Sequence, residues 1–184
     1  MKVIGFAGWS GAGKTTLIER LIPWFAARDR RVSVVKHAHL RFDLDRPGKD
    51  SWRHREAGAA EVLITSVGRW ALLHELRGES EPPLEAHLQR LAPCDFVFVE
   101  GYRYAAIPKI EVHRTAVGGP LLFPDDPAIV ALATDAASVA LAGGDERTEA
   151  WVASGRGRRF ALDDIDGIAR FIEAHSVAIR SLGG

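Results

Sequence analysis

Apolar positions along the chain gather into short unbroken runs, separated by stretches with a helical period. Residues 2–7 (KVIGFA), 32–36 (VSVVK), 95–100 (DFVFVE) and 128–133 (AIVALA) are such runs and predict buried strands. Between the first two, Leu17, Ile18, Leu21, Ile22 and Phe25 recur near a 3.6-residue spacing and predict a helix over 14–28. Pro23 lies inside that pattern and is expected to kink or end the helix near Ile22. A strand, a helix and a second strand in quick succession imply a parallel sheet with right-handed crossovers.

Elsewhere the pattern is more broken. Residues 37–49 lack a helical period and contain Pro47-Gly48, which reads as a loop, and 50–57 reads as a short helix with Asp50 near its N-cap. Residues 61–66 and 70–75 are candidate strands around a Val67-Gly68 turn and predict a hairpin. A polar loop over 77–83, a short helix over 84–91, a strand over 110–113 and a Gly- and Pro-rich loop over 118–127 follow. Residues 142–158 are the least ordered-looking stretch, with Gly143-Gly144 and a basic run from Gly155, and a helix is expected over 164–175. There is no internal repeat and no long linker, so residues 1–184 read as a single domain.

Bulk properties narrow the class. The 47% hydrophobic content predicts a globular fold. Lys+Arg and Asp+Glu are both 24, and this balance argues against a nucleic-acid-binding or anionic-membrane surface, which needs excess basic charge. Cys94 is the one cysteine, which rules out a disulfide within the chain and suits a reducing cytoplasm. No apolar run approaches the roughly 20 residues that span a bilayer. The first residues do not form a signal peptide either, since few apolar positions follow Lys2 before glycines and polar groups begin.

The chemistry begins at residues 8–15. Gly8, Gly13, Lys14 and Thr15 satisfy G-x-x-x-x-G-K-[ST], between a predicted strand and a predicted helix. Backbone N–H groups must close around phosphate oxygens there, and side chains would obstruct them, which accounts for Gly8, Gly11 and Gly13. The positive end of the helix dipole then faces the phosphates, Lys14 reaches the β- and γ-phosphates, and the Thr15 hydroxyl ligates Mg²⁺.

Such a site needs an acid at a neighbouring strand end to hold the metal shell, and Glu100 closes the 95–100 strand just before Gly101. Asp43 and Asp45, two apart, are further acids suited to Mg²⁺ or to orienting water, or else solvated loop charges; Lys49 is a phosphate contact or a surface lysine. His37 and His39 form an H-x-H pair with no further ligands at zinc spacing, and nothing beside Cys94 activates its thiol. Asp135, after the 128–133 strand, has two readings. It accepts two hydrogen bonds from guanine, which adenine cannot supply, or it caps a helix over the alanine-rich 136–142.

The ordered series GWSGAGKTT from Gly8, KHAH from Lys36, DLD from Asp43, PGKDS from Pro47, AGA from Ala57, RWAL from Arg69, VEGY from Val99 and ATD from Ala133 resembles the MobB family of molybdopterin-guanine dinucleotide biosynthesis adapter proteins. The resemblance runs from about Val3 to Ile172. It implies an α/β P-loop NTPase fold, a three-layer sandwich with a mostly parallel central sheet and a β-hairpin extension. It also implies GTP and Mg²⁺ as ligands, slow GTP hydrolysis, a homodimer, and partnership with a MobA-type guanylyltransferase, with molybdopterin or its carrier enzymes as further partners. Carried onto this chain, Gly11, Ala12, Gly13, Lys14, Thr15 and Thr16 bind phosphate, with Lys49 beside them, Thr15 and Glu100 serve the metal, Lys14 and Asp45 belong to hydrolysis, and Asp135 lies on the base side. A small-molecule kinase on a similar P-loop core is the alternative, with His37, His39 and Lys49 holding an acceptor and residues 77–83 forming part of a lid.

Overall fold

The apolar runs become the central strands of one sheet in the computed structural model, which describes residues 1–38, 42, 44–135 and 146–179. In chain order the elements are β1 (Lys2–Ala7), α1 (Lys14–Ala26), β2 (Val32–Lys36), α2 (Asp50–Glu56), β3 (Glu61–Thr65), β4 (Trp70–His74), α3 (Leu84–Gln89), β5 (Phe96–Glu100), β6 (Lys109–His113), β7 (Ile129–Thr134), α4 (Glu146–Ala153), β8 (Arg158–Ala161), α5 (Ile165–His175) and β9 (Val177–Ala178). They fall into two compact units, Met1–His37 with Leu84–Gly184, and Ala38–Pro83. His39, Asp43, the alanine-rich 136–142 and Gly143-Gly144 lie outside the described residues.

In the larger unit the strand order is β2-β5-β1-β6-β7-β8, parallel throughout, and β9 adds antiparallel to Lys2 and Val3 of β1. Successive residues serve opposite faces. Ile4, Phe6, Phe96, Phe98, Ile110 and Val112 pack with Leu17, Leu21 and Phe25 of α1 and Ile168 and Ile172 of α5. On the other face Val3, Val97 and Val99 meet Leu84 and Leu88 of α3, and Ala7, Ile129 and Leu132 meet Phe123 and Trp151 of α4. Burial on both faces is why these strands read as continuous apolar runs without alternation. The result is the α/β fold with a mostly parallel central sheet that the resemblance implies.

Two local expectations are corrected. The first helix does not end at Ile22 but runs through Pro23 to Ala26. Proline removes one N–H donor, but the fully buried Leu21 and Phe25 on either side outweigh it; each such side chain contributes about 1.5–3 kcal/mol. The least ordered-looking stretch contains α4 and leads into β8, because Trp151 stacks on Phe123 with ring centroids 4.3 Å apart and gives this weakly patterned helix an anchor. The short helix expected from residue 50 is present, with Asp50 its first residue beside the N-cap Lys49.

Two buried charges shape the loops around β6. Glu111 faces inward between β1 and β7, and its carboxylate accepts the Leu122 and Phe123 N–H groups at 2.8 and 2.9 Å. Burial pushes its pKa up against the lowering effect of these two bonds. A raised carboxyl pKa means that the contribution of Glu111 to stability is full below its ordinary value of 4.5 and is lost as pH rises toward the folded-state value. Glu111→Gln can accept only one of the two N–H groups, so it is expected to cost about 1–3 kcal/mol. The stability gap to wild type should narrow as pH is raised above 4.5, measured by urea unfolding across a pH series. A gap that is flat or widens with pH refutes the assignment.

The smaller unit is built on the predicted hairpin: β3 and β4 pair antiparallel from Glu61↔His74 to Thr65↔Trp70. Arg55 of α2 joins Asp45 at 3.2 Å and Glu75 at 2.6 Å, and Arg77 donates to the carbonyls of Arg55 and Ala59. The hairpin carries exposed apolar side chains, among them Leu63 at 59% and Trp70 at 69% of full exposure.

Candidate phosphate-binding site

β1 is the point where the sheet's connections part to either side, toward β5 and β2 or toward β6, β7 and β8, and residues 8–13 cross its carboxyl end there. Ligands of open α/β sheets bind at such a switch point. Gly8, Gly11 and Gly13 all have positive φ, 141°, 80° and 97°. At Gly8 a side chain is excluded twice over, because a Cβ would run into the Val112 carbonyl oxygen. Gly13, in the left-handed region, caps α1 with no side-chain hydrogen bond, and no acidic residue stands in the first helical turn. The first N–H groups of α1 therefore have no side-chain cap within the helix itself, and with the helix dipole they suit an external anion.

Lys14 folds back over this loop and donates to the Gly8 and Trp9 carbonyls at 2.8 and 3.0 Å. Burial holds its pKa below the ordinary lysine value; Glu100 pulls it up and Lys36 pushes it further down. Ala12 closes the turn through its N–H to the Trp9 carbonyl, 3.1 Å. Thr15 and Thr16 are exposed at the helix start. Thr15 Oγ1 donates to Glu100 Oε1 at 2.9 Å, across a sequence separation of 85 residues.

Glu100 is placed by register. It is the last residue of β5, opposite Phe6 of β1 and Lys36 of β2, and it is 8% exposed. Lys36 Nζ lies 3.6 Å from its Oε2. A hydroxyl and a carboxylate in contact beside a phosphate loop are hard oxygen donors. They fit Mg²⁺, which takes few protein ligands and shares its shell with substrate phosphates and water. Among the described residues no group of three or more His, Cys, Asp or Glu side chains is placed to hold a metal ion.

The other predicted residues are placed as follows. Asp135 follows β7 directly, at the same carboxyl edge of the sheet. His37 follows β2, its N–H bonded to the Glu100 carbonyl and its ring 5.0 Å from that of Tyr102. Asp45 and Lys49 belong to the smaller unit. Lys49 is exposed, while Asp45 accepts from Ser51 Oγ at 2.7 Å and pairs with Arg55. The Ser51 hydrogen bond, aided by Arg55, holds the Asp45 carboxyl below the usual carboxylate range.

The segment after β6, read from the sequence only as a loop over 118–127 with no functional role, proves to be a second wall of the loop. Trp9 Nε1 donates to the Pro120 carbonyl at 2.8 Å, Gly119 lies against the Trp9 ring, and the Arg114 guanidinium lies against Gly13. Only the run of turn-forming residues after His113 hinted at it.

Comparison with known proteins agrees with this geometry. The family model "MobB: Molybdopterin guanine dinucleotide synthesis protein B" matches residues 3–135. The chain is 42% identical to the molybdopterin-guanine dinucleotide biosynthesis adapter protein of Haemophilus influenzae, over 72% of this chain and 74% of that one. It is 40% identical to the protein of the same description from Escherichia coli, over 72% and 78%. A crystal structure of molybdopterin-guanine biosynthesis protein B superposes with a TM-score of 0.64 at 26% identity, covering 94% of this chain and 98% of that one. A MobB homolog from Bacillus stearothermophilus shares the fold at TM-score 0.61 and 21% identity, covering 98% and 99%.

Proposed function

This chain belongs to the MobB family, and on that premise we propose that it is a GTP-binding adapter in the biosynthesis of molybdopterin guanine dinucleotide, assisting a MobA-type guanylyltransferase. The observation that carries the nucleotide reading is the uncapped, acid-free start of α1 beside the Thr15–Glu100 contact. In this reading the N–H groups of residues 11–16 and Lys14 hold the phosphates, and Thr15 and Glu100 hold Mg²⁺. The metal supplies charge neutralisation at the phosphates. The family resemblance assigns Lys49 to phosphate, and Asp135 accepts from guanine and selects GTP.

Hydrolysis in this reading is slow and secondary to the adapter role. Lys14 stabilises charge on the phosphates, and Asp45, its carboxylate oriented by Ser51 and Arg55, orients water. The exposed hairpin side chains Leu63, Trp70 and Leu72 support a homodimer, since a lone two-stranded sheet is marginal in water, and the single Cys94 suits a reducing cytoplasm. Among the described residues no helix is long and apolar enough to cross a membrane. The names of the relatives speak for the adapter and not for a kinase.

The test is a nucleotide panel with Mg²⁺ joined to a pull-down. GTP is expected to bind at least about tenfold more tightly than ATP, the difference that one well-placed pair of hydrogen bonds supplies. The tagged chain with GTP–Mg²⁺ is expected to retain the guanylyltransferase. Equal binding of ATP sinks the role given to Asp135, and phosphoryl transfer to a metabolite, seen by mass spectrometry, sinks the adapter reading.

A further inference from the structure

β6 runs beside β1, so the residue that follows β6 emerges next to the loop that follows β1. That residue is Arg114. Its backbone is extended, φ −130° and ψ 129°, and carries its side chain toward the loop. A Cβ built on Gly13 would stand 3.4 Å from Arg114 Nε, 3.5 Å from Nη2 and 3.6 Å from Cζ. The guanidinium thus rests against the residue that caps α1, on the bare backbone that a glycine leaves.

What sets it apart is burial of a charged group without a partner, since the other unpartnered buried side-chain atoms among the described residues are hydroxyls. Arg28, Arg30, Arg53, Arg55, Arg159 and Arg170 each meet a carboxylate. Arg114 makes no ion pair among the described residues, and its Nε is shut off from solvent without a hydrogen-bond partner. A guanidinium is always charged, and a dry, unpaired donor on it is costly. Such a group calls for an acceptor that the protein itself does not supply. The neighbouring helix start likewise has no side-chain cap and no acid in its first turn.

The segment bearing Arg114 is anchored on both sides of the loop. Glu111 accepts from Leu122 and Phe123, and Trp9 donates to Pro120. Arg114 is therefore built in place before any ligand arrives, and no second subunit has to bring it.

We propose that Arg114 is a phosphate-binding residue, a cation supplied within the same chain that pairs with the phosphate chain of the bound nucleotide through the N–H groups of its terminal guanidinium nitrogens. This rests on the nucleotide reading given above and adds to it a second positive group besides Lys14. A fork of two parallel N–H donors matches phosphate oxygens, and a lysine ammonium does not reproduce it.

The experiment measures GTP–Mg²⁺ and GDP affinity by calorimetry, together with the melting temperature without nucleotide, for wild type, Arg114→Met and Arg114→Lys. Arg114→Met should weaken GTP roughly 10- to 100-fold, the range for losing hydrogen bonds from a charged donor. Arg114→Lys should recover only part of that loss. The nucleotide-free melting temperature of Arg114→Met should stay level or rise, because an unpaired buried donor has been removed. Affinity for GTP within threefold of wild type in both variants overturns the proposal. So does a drop in melting temperature with unchanged affinity, or a failure of both variants to fold, since these mark Arg114 as a packing residue. If wild type binds no nucleoside triphosphate, the nucleotide reading falls first and this proposal with it.

Discussion

Lys14→Ala is expected to weaken GTP–Mg²⁺ binding by at least about 100-fold, the product of two charged hydrogen bonds of about 1.5–3 kcal/mol each. The ammonium is already fixed on the Gly8 and Trp9 carbonyls, so little side-chain entropy is lost when phosphate arrives. It is also partly desolvated, which lowers its pKa and strengthens its attraction to an incoming anion. Alanine removes the charge and releases both carbonyls together. Lys14→Arg should fare no better, because a planar fork cannot sit on the two carbonyls and still reach phosphate as a point charge does. Titration calorimetry decides the matter, and a variant that binds within tenfold of wild type refutes the placement of Lys14. If the adapter acts through its nucleotide-bound form, the same substitution also ends retention of the guanylyltransferase.

Lys109→Ala is expected to be the most destabilising exchange of a charged residue in the larger unit, at about 3–5 kcal/mol. Lys109 is 3% exposed. Its Nζ donates to the Arg103 and Ala105 carbonyls at 2.8 and 3.0 Å and meets Asp126 Oδ2 at 2.7 Å. One side chain thereby ties the loop after Glu100 to the turn that leads into β7. Its stem lies over Gly5, where a Cβ would come within 2.7 Å of Lys109 Cγ, so the space for it is provided by β1 itself. Alanine leaves a cavity and strips the partner from two carbonyls and a carboxylate at once. Lys109→Met restores volume without the donors and should recover part of the loss. Urea midpoints at constant slope measure both variants, and a cost below 1 kcal/mol for alanine contradicts the buried role.

The parts of the site that were legible in the sequence are those whose geometry is local. Residues 8–15 specify their own turn through the glycines at positive φ, and the helix start follows from chain direction alone. Glu100 was legible because a strand's last residue stands at the sheet's carboxyl edge whichever strand lies beside it. Pro23 was read by its intrinsic penalty, yet the burial of Leu21 and Phe25 decided otherwise. Glu111, in KIEVH, looks like the outward member of an alternating strand. It is buried because the sheet is covered on both faces and the loop over it offers two N–H groups.

The chain's own order of residues thus determined the phosphate loop, the strand-end acid, the buried strands and the family. These depend on backbone conformation and side-chain period within a few residues. Only the tertiary structure decided that Glu100 meets Thr15, that Lys109 and Glu111 are internal, and that Arg114 stands against Gly13. Each of these depends on β5 and β6 flanking β1, an adjacency set by the packing of apolar faces far apart along the chain. Local pattern says that a strand is buried, whereas the partner beside it is chosen by the free energy of the whole assembled core.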